Sequence, residues 1–146
     1  MNIYTIGFAQ KSAEVFFTLL SRYNIECLFD IRLNNVSQLA GFTKAMDLKY
    51  FLKTILNAEY IHDINYAPTK EILDNYKKGI SDWNEYVLKY NNLIVNRKTE
   101  LIFAEQTKNF NNVCLLCSEV TANNCHRKLL AEYLKSNLPN IEIIHI

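Results

Sequence analysis

Short apolar runs in this chain alternate with segments in which apolar residues recur every three or four positions. The runs cover residues 2–7, 26–32, 59–63, 113–119 and 141–146. Their length and their content of β-branched and aromatic residues predict strands, and the helical periodicity between them predicts helices. Strands that alternate with helices are typical of a parallel sheet with right-handed crossovers.

The order of these elements, β-α-β-α-β-(αα)-β-α-β, predicts one α/β domain over residues 1–146. We expect the five runs to form a largely parallel sheet with helices on both faces, in a Rossmann-like, doubly wound arrangement. A helical insert at about residues 69–106 follows the third strand and has no strand pattern of its own.

Several predicted helices begin at side chains that can accept bonds from the unpaired N–H groups of a first turn. The expected first residues or caps are Ser12, Asp47, Thr69, Ser81 and either Asn123 or Asn124. The last of these helices carries Leu129, Leu130, Tyr133 and Leu134 on one face, and His126 falls on that same inward face.

The junction between the fourth strand and the last helix carries the most candidate chemistry. Cys117 and Glu119 end the strand, and Cys125, His126 and Arg127 open the helix. In a parallel α/β sheet the pocket lies outside the carboxyl ends of the strands, where the following helix also directs its N–H groups. We therefore predict that the first four of these residues are catalytic and that Arg127 binds an anion.

The spacing of Cys114-Leu-Leu-Cys117 resembles a CxxC metal or redox motif, but the strand pattern argues against that interpretation. Side chains alternate between the two faces of a strand. Cys117 is therefore expected on one face with Val113 and Leu115, and Cys114 on the other.

Four further candidates for substrate or anion binding lie at predicted strand ends: Gly7, Asp30, Arg32 and His62. Gly7 either lets the backbone approach a ligand or forms a turn with positive φ. Asp30 and Arg32 either form an ion pair at the surface or hold an arginine fork for a phosphate or carboxylate. The sequence leaves both alternatives open.

The polar segment at residues 33–45, which carries Ser37, Gln38, Gly41 and Lys44, has little periodicity and is expected to be a lid or binding loop. Basic residues in the helical insert alternate with acids, which favours a solvated helix face over a nucleic-acid patch. Trp83 and the tyrosines of the insert are expected in the core.

The composition limits the classes of function. The chain has 146 residues, 49% of them hydrophobic and 21% charged, with a formal charge of +1. This charge provides no general attraction for nucleic acid or an anionic membrane. We expect a cytoplasmic protein because neither a membrane-length apolar run nor a signal peptide is evident. The four cysteines favour reduced thiols over a disulfide framework.

The motifs together resemble the family known as domain of unknown function 488. The resemblance rests on Leu115-Leu-Cys117-Ser-Glu119 with Cys125-His126-Arg127, on Tyr4-Thr-Ile-Gly7 and on Asp30-Ile-Arg32. Residues 33–42 and 67–71 resemble one branch of that family. The family usually continues Thr-Ile-Gly with His-Ser-Asn, whereas this chain has Phe8-Ala9-Gln10, and it lacks the proline that is common after Asp-x-Arg. The resemblance implies an α/β fold and a shared pocket, and it implies no reaction.

Three hypotheses about function follow. The first is an enzyme that acts on a phosphate- or nucleotide-containing anion through a thiolate or a His/Glu centre. The second is a zinc site formed by Cys117, Cys125 and His126, with Glu119 as a further ligand, although neighbouring helical positions seldom face one ion. The third is a non-catalytic module that binds a nucleotide, a nucleic acid or a partner protein.

A phosphatase loop needs Cys, five residues and Arg, and neither Cys117 nor Cys125 has that spacing. The sequence therefore predicts neither phosphatase nor sulfur-transfer activity. It leaves the cofactor and the oligomeric state open.

Overall fold

The computed structural model describes residues 1–36 and 40–146. Within these residues it contains one five-stranded, all-parallel sheet in the order β3-β2-β4-β1-β5. The strands are β1 Asn2–Gly7, β2 Cys27–Asp30, β3 Glu59–His62, β4 Asn112–Cys117 and β5 Glu142–His145. The predicted α/β fold with a five-stranded parallel sheet is confirmed.

The helices lie on both faces of the sheet, as predicted. They are α1 Ala13–Arg22, α2 Ala45–Phe51, α3 Lys70–Lys77, α4 Trp83–Asn96, α5 Thr99–Thr107 and α6 His126–Asn137. A π-helical turn at Leu52–Leu56 extends α2, and short 3-10 turns occur at Gly41–Thr43 and Ile64–Tyr66. The predicted insert between β3 and β4 consists of α3, α4 and α5.

The path of the chain explains why β4 is the central strand. From β1 the chain moves towards one edge of the sheet through β2 and β3, with α1 and α2 packed on one face. It then returns through β4 and β5, with α3 to α6 on the opposite face. Right-handed crossovers require this change of face when the direction reverses. The carboxyl end of β4 therefore lies between those of β1 and β2.

Two apolar cores enclose the sheet, and alternate residues of each strand enter different cores. Val113, Leu115 and Cys117 pack with the face that carries α3 to α6, whereas Cys114 and Leu116 pack with the face that carries α1 and α2. The two thiols of the Cys114-Leu-Leu-Cys117 segment thus lie on opposite faces, as the strand pattern predicted.

Two of the predicted caps are confirmed. The Val15 backbone N–H donates to the Ser12 hydroxyl at 3.2 Å, and the Ile72 N–H donates to the Thr69 hydroxyl at 3.3 Å. The cap of α4 is Asp82 rather than Ser81, because the Asp82 carboxylate accepts from the Glu85 N–H at 2.8 Å.

The predicted starts of α2 and α6 were wrong. Helix α2 begins at Ala45, before Asp47, so this aspartate lies in the first turn. The N-cap of α6 is Cys125, which has extended backbone angles, and the preceding Asn124 has a left-handed φ of 52°. Asparagine tolerates that conformation, so Asn124 turns the loop rather than capping the helix.

The predicted lid is only partly described. Gly41 belongs to the 3-10 turn Gly41–Thr43, and Lys44 is the N-cap of α2. Ser37 and Gln38 lie outside the described residues.

Trp83 and the tyrosines of the insert pack in or against the core, as predicted. Among the described residues, no helix combines the length and apolar character that crossing a membrane requires.

Candidate functional site

A cavity of about 500 Å³ opens at the carboxyl ends of β2 and β4. It lies at the sheet edge predicted from the sequence, between the loop after β2, helices α3 and α4, and the start of α6. Its lining residues are Arg32, Leu33, Asn34, Lys70, Leu73, Asp74, Tyr76, Lys77, Tyr86, Cys117, Ser118, Glu119, Asn124, Cys125 and His126.

A groove of about 620 Å³ lies on the opposite face, between α1 and the end of α2. Phe17, Phe42 and Phe51 contribute to its mainly apolar wall, and it contains none of the residues singled out in the sequence. The smaller cavity is therefore the candidate site, because it combines an apolar wall with reactive side chains.

The two cysteines of the junction meet in the wall of the cavity. The Sγ atoms of Cys117 and Cys125 lie 2.7 Å apart, and both residues are almost completely buried. Cys117 is the last residue of β4, and Cys125 has an extended backbone immediately before α6. This placement brings both thiols to one point although seven residues separate them in the sequence.

Arg127 packs against this pair from within the protein. Its Nη1 donates to the Glu119 carbonyl at 2.7 Å and lies 3.6 Å and 3.7 Å from the sulfurs of Cys117 and Cys125. Its Nη2 donates to the Val120 carbonyl at 3.3 Å. Arg127 is only 2% exposed, so its guanidinium supports the thiols and the following loop instead of facing a ligand in the cavity.

The two thiols differ in acidity because they share a proton. The pKa of Cys117 is lowered, first by the bond from the Cys125 thiol and then by the charges of His126 and Arg127 and the Glu119 backbone amide. Burial opposes these effects. The pKa of Cys125 is raised by its bond to Cys117 and by burial. The pair therefore loses its first proton easily and its second with difficulty.

The other two cysteines provide a contrast within the same chain. Burial raises the pKa of Cys27 to about 12 and also raises the pKa of Cys114. Both thiols pack inside the apolar cores. They are expected to stay protonated and unreactive.

His126 is held by the backbone after β2. Its Nε2 lies 3.1 Å from the Ile31 carbonyl oxygen. A carbonyl oxygen only accepts, so Nε2 carries the hydrogen, and Nδ1 is the acceptor in the neutral ring. The bond to the Ile31 carbonyl, rather than Glu119, thus orients the His126 ring. The Glu119 side chain is exposed at the cavity.

His62 has a related role on the adjacent strand. Its Nε2 donates to the Arg32 carbonyl oxygen at 2.9 Å. His62 and His126 therefore support consecutive carbonyl groups of the segment that follows β2. This bond is structural, and the anion-binding role of His62 stays a prediction.

The donor set of the zinc hypothesis does converge. The sulfurs of Cys117 and Cys125 and one ring nitrogen of His126 lie within 4.8 Å of one another. The objection that Cys125 and His126 are successive helical positions does not hold, because Cys125 precedes the helix.

One feature nevertheless opposes a zinc ion at this position. The guanidinium of Arg127 lies beside both sulfurs, so it repels a second cation.

Asp30 and Arg32 form a buried ion pair, so of the two alternatives that the sequence left open, the pair at the surface does not hold. They are 0% and 5% exposed. Arg32 donates from Nε to Oδ1 and from Nη2 to Oδ2 of Asp30, each at 2.7 Å, and Nη2 also donates to the Thr43 carbonyl. The Tyr60 hydroxyl donates to Asp30 at 2.6 Å. The Arg32 guanidinium therefore binds Asp30 and Thr43, and Arg32 is also one of the residues that line the cavity.

The surroundings of Gly7 differ from both roles that the sequence suggested, close approach to a ligand and a turn with positive φ. It lies in β1 opposite Cys117. A Cβ atom there would be 1.5 Å from the Glu119 carbonyl oxygen and 2.8 Å from Nη1 of Arg127. Glycine is thus required because the loop after β4 and the guanidinium approach the strand, rather than for a ligand or a positive φ.

The sequence analysis missed the wall that α3 and α4 contribute. Lys70, Leu73, Asp74 and Lys77 share one face of α3 at helical spacing and border the cavity, together with Tyr86 of α4. The spacing was visible in the sequence. The packing of that face over the end of β4 depends on the long crossover, which the pattern alone does not define.

Fold and site together define a class: an α/β protein with a buried cysteine pair at the carboxyl edge of a parallel sheet. The family model described as Domain of unknown function DUF488 matches residues 12–134. The chain belongs to that family. The match includes the cysteine pair and Asp30, and it begins after residues 4–7. No curated protein and no solved structure matches the chain.

Replacement of Gly7 by alanine should destabilise the protein strongly, because the added Cβ overlaps the Glu119 carbonyl. We expect a loss of about 3 kcal/mol of unfolding free energy, measured by urea denaturation. Gly41→Ala is the matched control, since none of the described residues would come within 4 Å of its added Cβ. Equal effects of the two substitutions would contradict the close approach at Gly7.

Asp30→Asn should lower the free energy of unfolding by about 3 to 5 kcal/mol, because it leaves the Arg32 charge buried without its partner. The control is Glu85→Gln, which breaks the exposed pair with Lys89 and should change stability by less than about 0.5 kcal/mol. Chemical denaturation measures both. If Asp30→Asn were as mild as the control, the buried pair would not stabilise the end of β2.

Proposed function

We propose that this protein is an enzyme in which the Cys117 thiolate acts as a nucleophile on an anionic, phosphate- or nucleotide-containing substrate in the cavity. The observation that carries this proposal is the contact of Cys117 with Cys125 and Arg127. A thiolate beside a hydrogen-bond donor and a cation is stabilised, and the thiolate is the reactive form of cysteine.

The walls of the cavity support an organic anion as the substrate. Leu73, Tyr76 and Tyr86 offer apolar and aromatic surface. Among the charged lining residues, Lys70 pairs with Asp74, and Arg32 is occupied by Asp30. Lys77 borders the cavity without a salt bridge to any described residue. It is thus the lysine best placed to meet an anionic group.

Two further side chains have proposed roles in proton transfer. The Glu119 carboxylate is exposed at the cavity and can act as a general base on a substrate or a water molecule. Nδ1 is the nitrogen of His126 that can exchange a proton with a substrate, because Nε2 donates to the Ile31 carbonyl. Cys125 supplies the hydrogen bond that keeps Cys117 ionised.

Alkylation of the folded protein tests the nucleophile. Because the pKa of Cys117 is lowered, iodoacetamide should modify it at about pH 6, where a thiol of ordinary pKa is below about 1% thiolate. Cys27 and Cys114 have raised pKa values and should react only after unfolding. Peptide mass spectrometry reads all positions in one sample. Equal inertness of Cys117 and Cys114 would contradict the proposal.

The anion preference is tested by comparing iodoacetate with neutral iodoacetamide. We expect Lys77→Gln to reduce the relative rate of iodoacetate at Cys117 by about threefold, because the substitution removes a cation from the wall. Lys78→Gln is the control, since Lys78 is exposed and outside the lining. Inorganic phosphate or AMP should slow the alkylation of Cys117. If Lys77→Gln left the ratio of the iodoacetate rate to the iodoacetamide rate unchanged, this result would argue against an anionic substrate.

The non-catalytic module and the zinc site are alternative outcomes of these experiments. Cys117→Ser and Cys125→Ser should abolish an enzymatic function and leave simple ligand binding intact. Reactivity of Cys117 that appears only after treatment with a chelator would favour zinc.

A further inference from the structure

We infer that Cys117 and Cys125 form a two-electron thiol–disulfide couple that exchanges with small anionic thiols and disulfides in the cavity. This inference rests on the proposed role of Cys117 as the nucleophile, and it assigns Cys125 the role of the resolving cysteine. It also names the substrate class as an organic anion that carries a thiol or a disulfide.

The geometry of the sulfurs is the first argument. They lie 2.7 Å apart, so bond formation requires them to approach by only about 0.7 Å, to the disulfide length of about 2.04 Å. Cys125 precedes the first helical residue of α6 and has extended backbone angles, and its carbonyl accepts from the Lys128 N–H at 3.1 Å. A small shift at this position therefore need not break the helix.

The loop between the two cysteines is the second argument. Arg127 donates to the carbonyl groups of Glu119 and Val120, and Gly7 leaves room for this loop beside β1. The loop is thus already held in place while the thiols are reduced. Closing it with a disulfide requires little further ordering.

The cavity is the third argument, because Cys117 and Cys125 are both lining residues. A volume of about 500 Å³ is large for hydrogen peroxide, since one water occupies only about 30 Å³ of liquid. The apolar side chains Leu73 and Tyr86 and the cation Lys77 suit an organic substrate with a negative group.

The exchange balances as follows. The Cys117 thiolate attacks one sulfur of a substrate disulfide, forms a mixed disulfide and releases one substrate thiolate. Cys125 gives its proton to that thiolate and attacks Cys117 Sγ, which forms the Cys117–Cys125 disulfide and releases the second substrate thiolate. The substrate is reduced by two electrons and the protein is oxidised by two. An external dithiol reverses the change and becomes a disulfide itself.

The test uses 3,3′-dithiodipropionate as the anionic disulfide and 2-hydroxyethyl disulfide as a neutral probe of similar size. With the probe in excess, the reduced, folded protein should lose the mass of two hydrogens, and peptide mapping should find Cys117 joined to Cys125. Dithiothreitol should restore the original mass. At low ionic strength the anionic probe should react roughly tenfold faster, relative to the neutral probe, than it does with a free thiol.

Variants separate the roles of the two cysteines. With Cys125→Ser the exchange should stop at a mixed disulfide on Cys117. With Cys117→Ser the reaction with either disulfide should be much slower than in the unaltered protein. Cys27→Ser is the control and should behave like the unaltered protein, because Cys27 lies in the core. A thermal unfolding curve for each variant establishes that it is folded.

The outcomes distinguish this inference from the proposed function. A mixed disulfide that persists on Cys117 although Cys125 is present would overturn the couple and leave the nucleophile intact. Inertness of Cys117 towards both disulfides and iodoacetamide would overturn both. Faster reaction with the neutral probe, or oxidation by peroxide alone, would overturn the substrate class.

Discussion

The site depends on a buried guanidinium, that of Arg127, which lies beside the sulfurs of two cysteines. Arg127 is 2% exposed, and among the described residues its partners are two backbone carbonyls and the sulfurs of Cys117 and Cys125. Its buried Nε has no hydrogen-bond partner among those residues. An arginine remains charged at physiological pH, and a buried charge without compensation is costly. Ionisation of Cys117 therefore stabilises Arg127, just as Arg127 stabilises the thiolate.

The second constraint is the buried pair at the end of β2, which fixes the opposite wall of the cavity. Asp30 receives bonds from Arg32 and Tyr60, while Arg32 also reaches the Thr43 carbonyl before α2. His62 and His126 hold the carbonyl groups that follow the strand. Because His126 takes part in both walls, the thiol pair is fixed relative to β2 as well as β4.

The sequence predicted the features that depend on local periodicity. The parallel sheet follows from the alternation of strands with helices. The opposite faces of Cys114 and Cys117 follow from alternation along a strand, and the inward position of His126 follows from helical phase. Contacts between residues that are distant in the sequence could not be predicted in this way. The approach of the Glu119 carbonyl to Gly7 and the burial of the Asp30 pair depend on how distant loops pack. The start of α6 was misplaced because asparagine suits both caps and left-handed turns.

The charge balance around Arg127 also bears on the direction of the inferred couple. Reduction produces a thiolate that accepts from Cys125 and lies beside Arg127, whereas a disulfide carries no charge to compensate the guanidinium. The protein therefore stabilises its reduced form more than its oxidised form. A dithiol that is stabilised in this way has a higher reduction potential. It follows that the oxidised protein, once formed, should readily take electrons from a substrate thiol, whereas oxidation of the reduced protein by a substrate disulfide needs an excess of that disulfide.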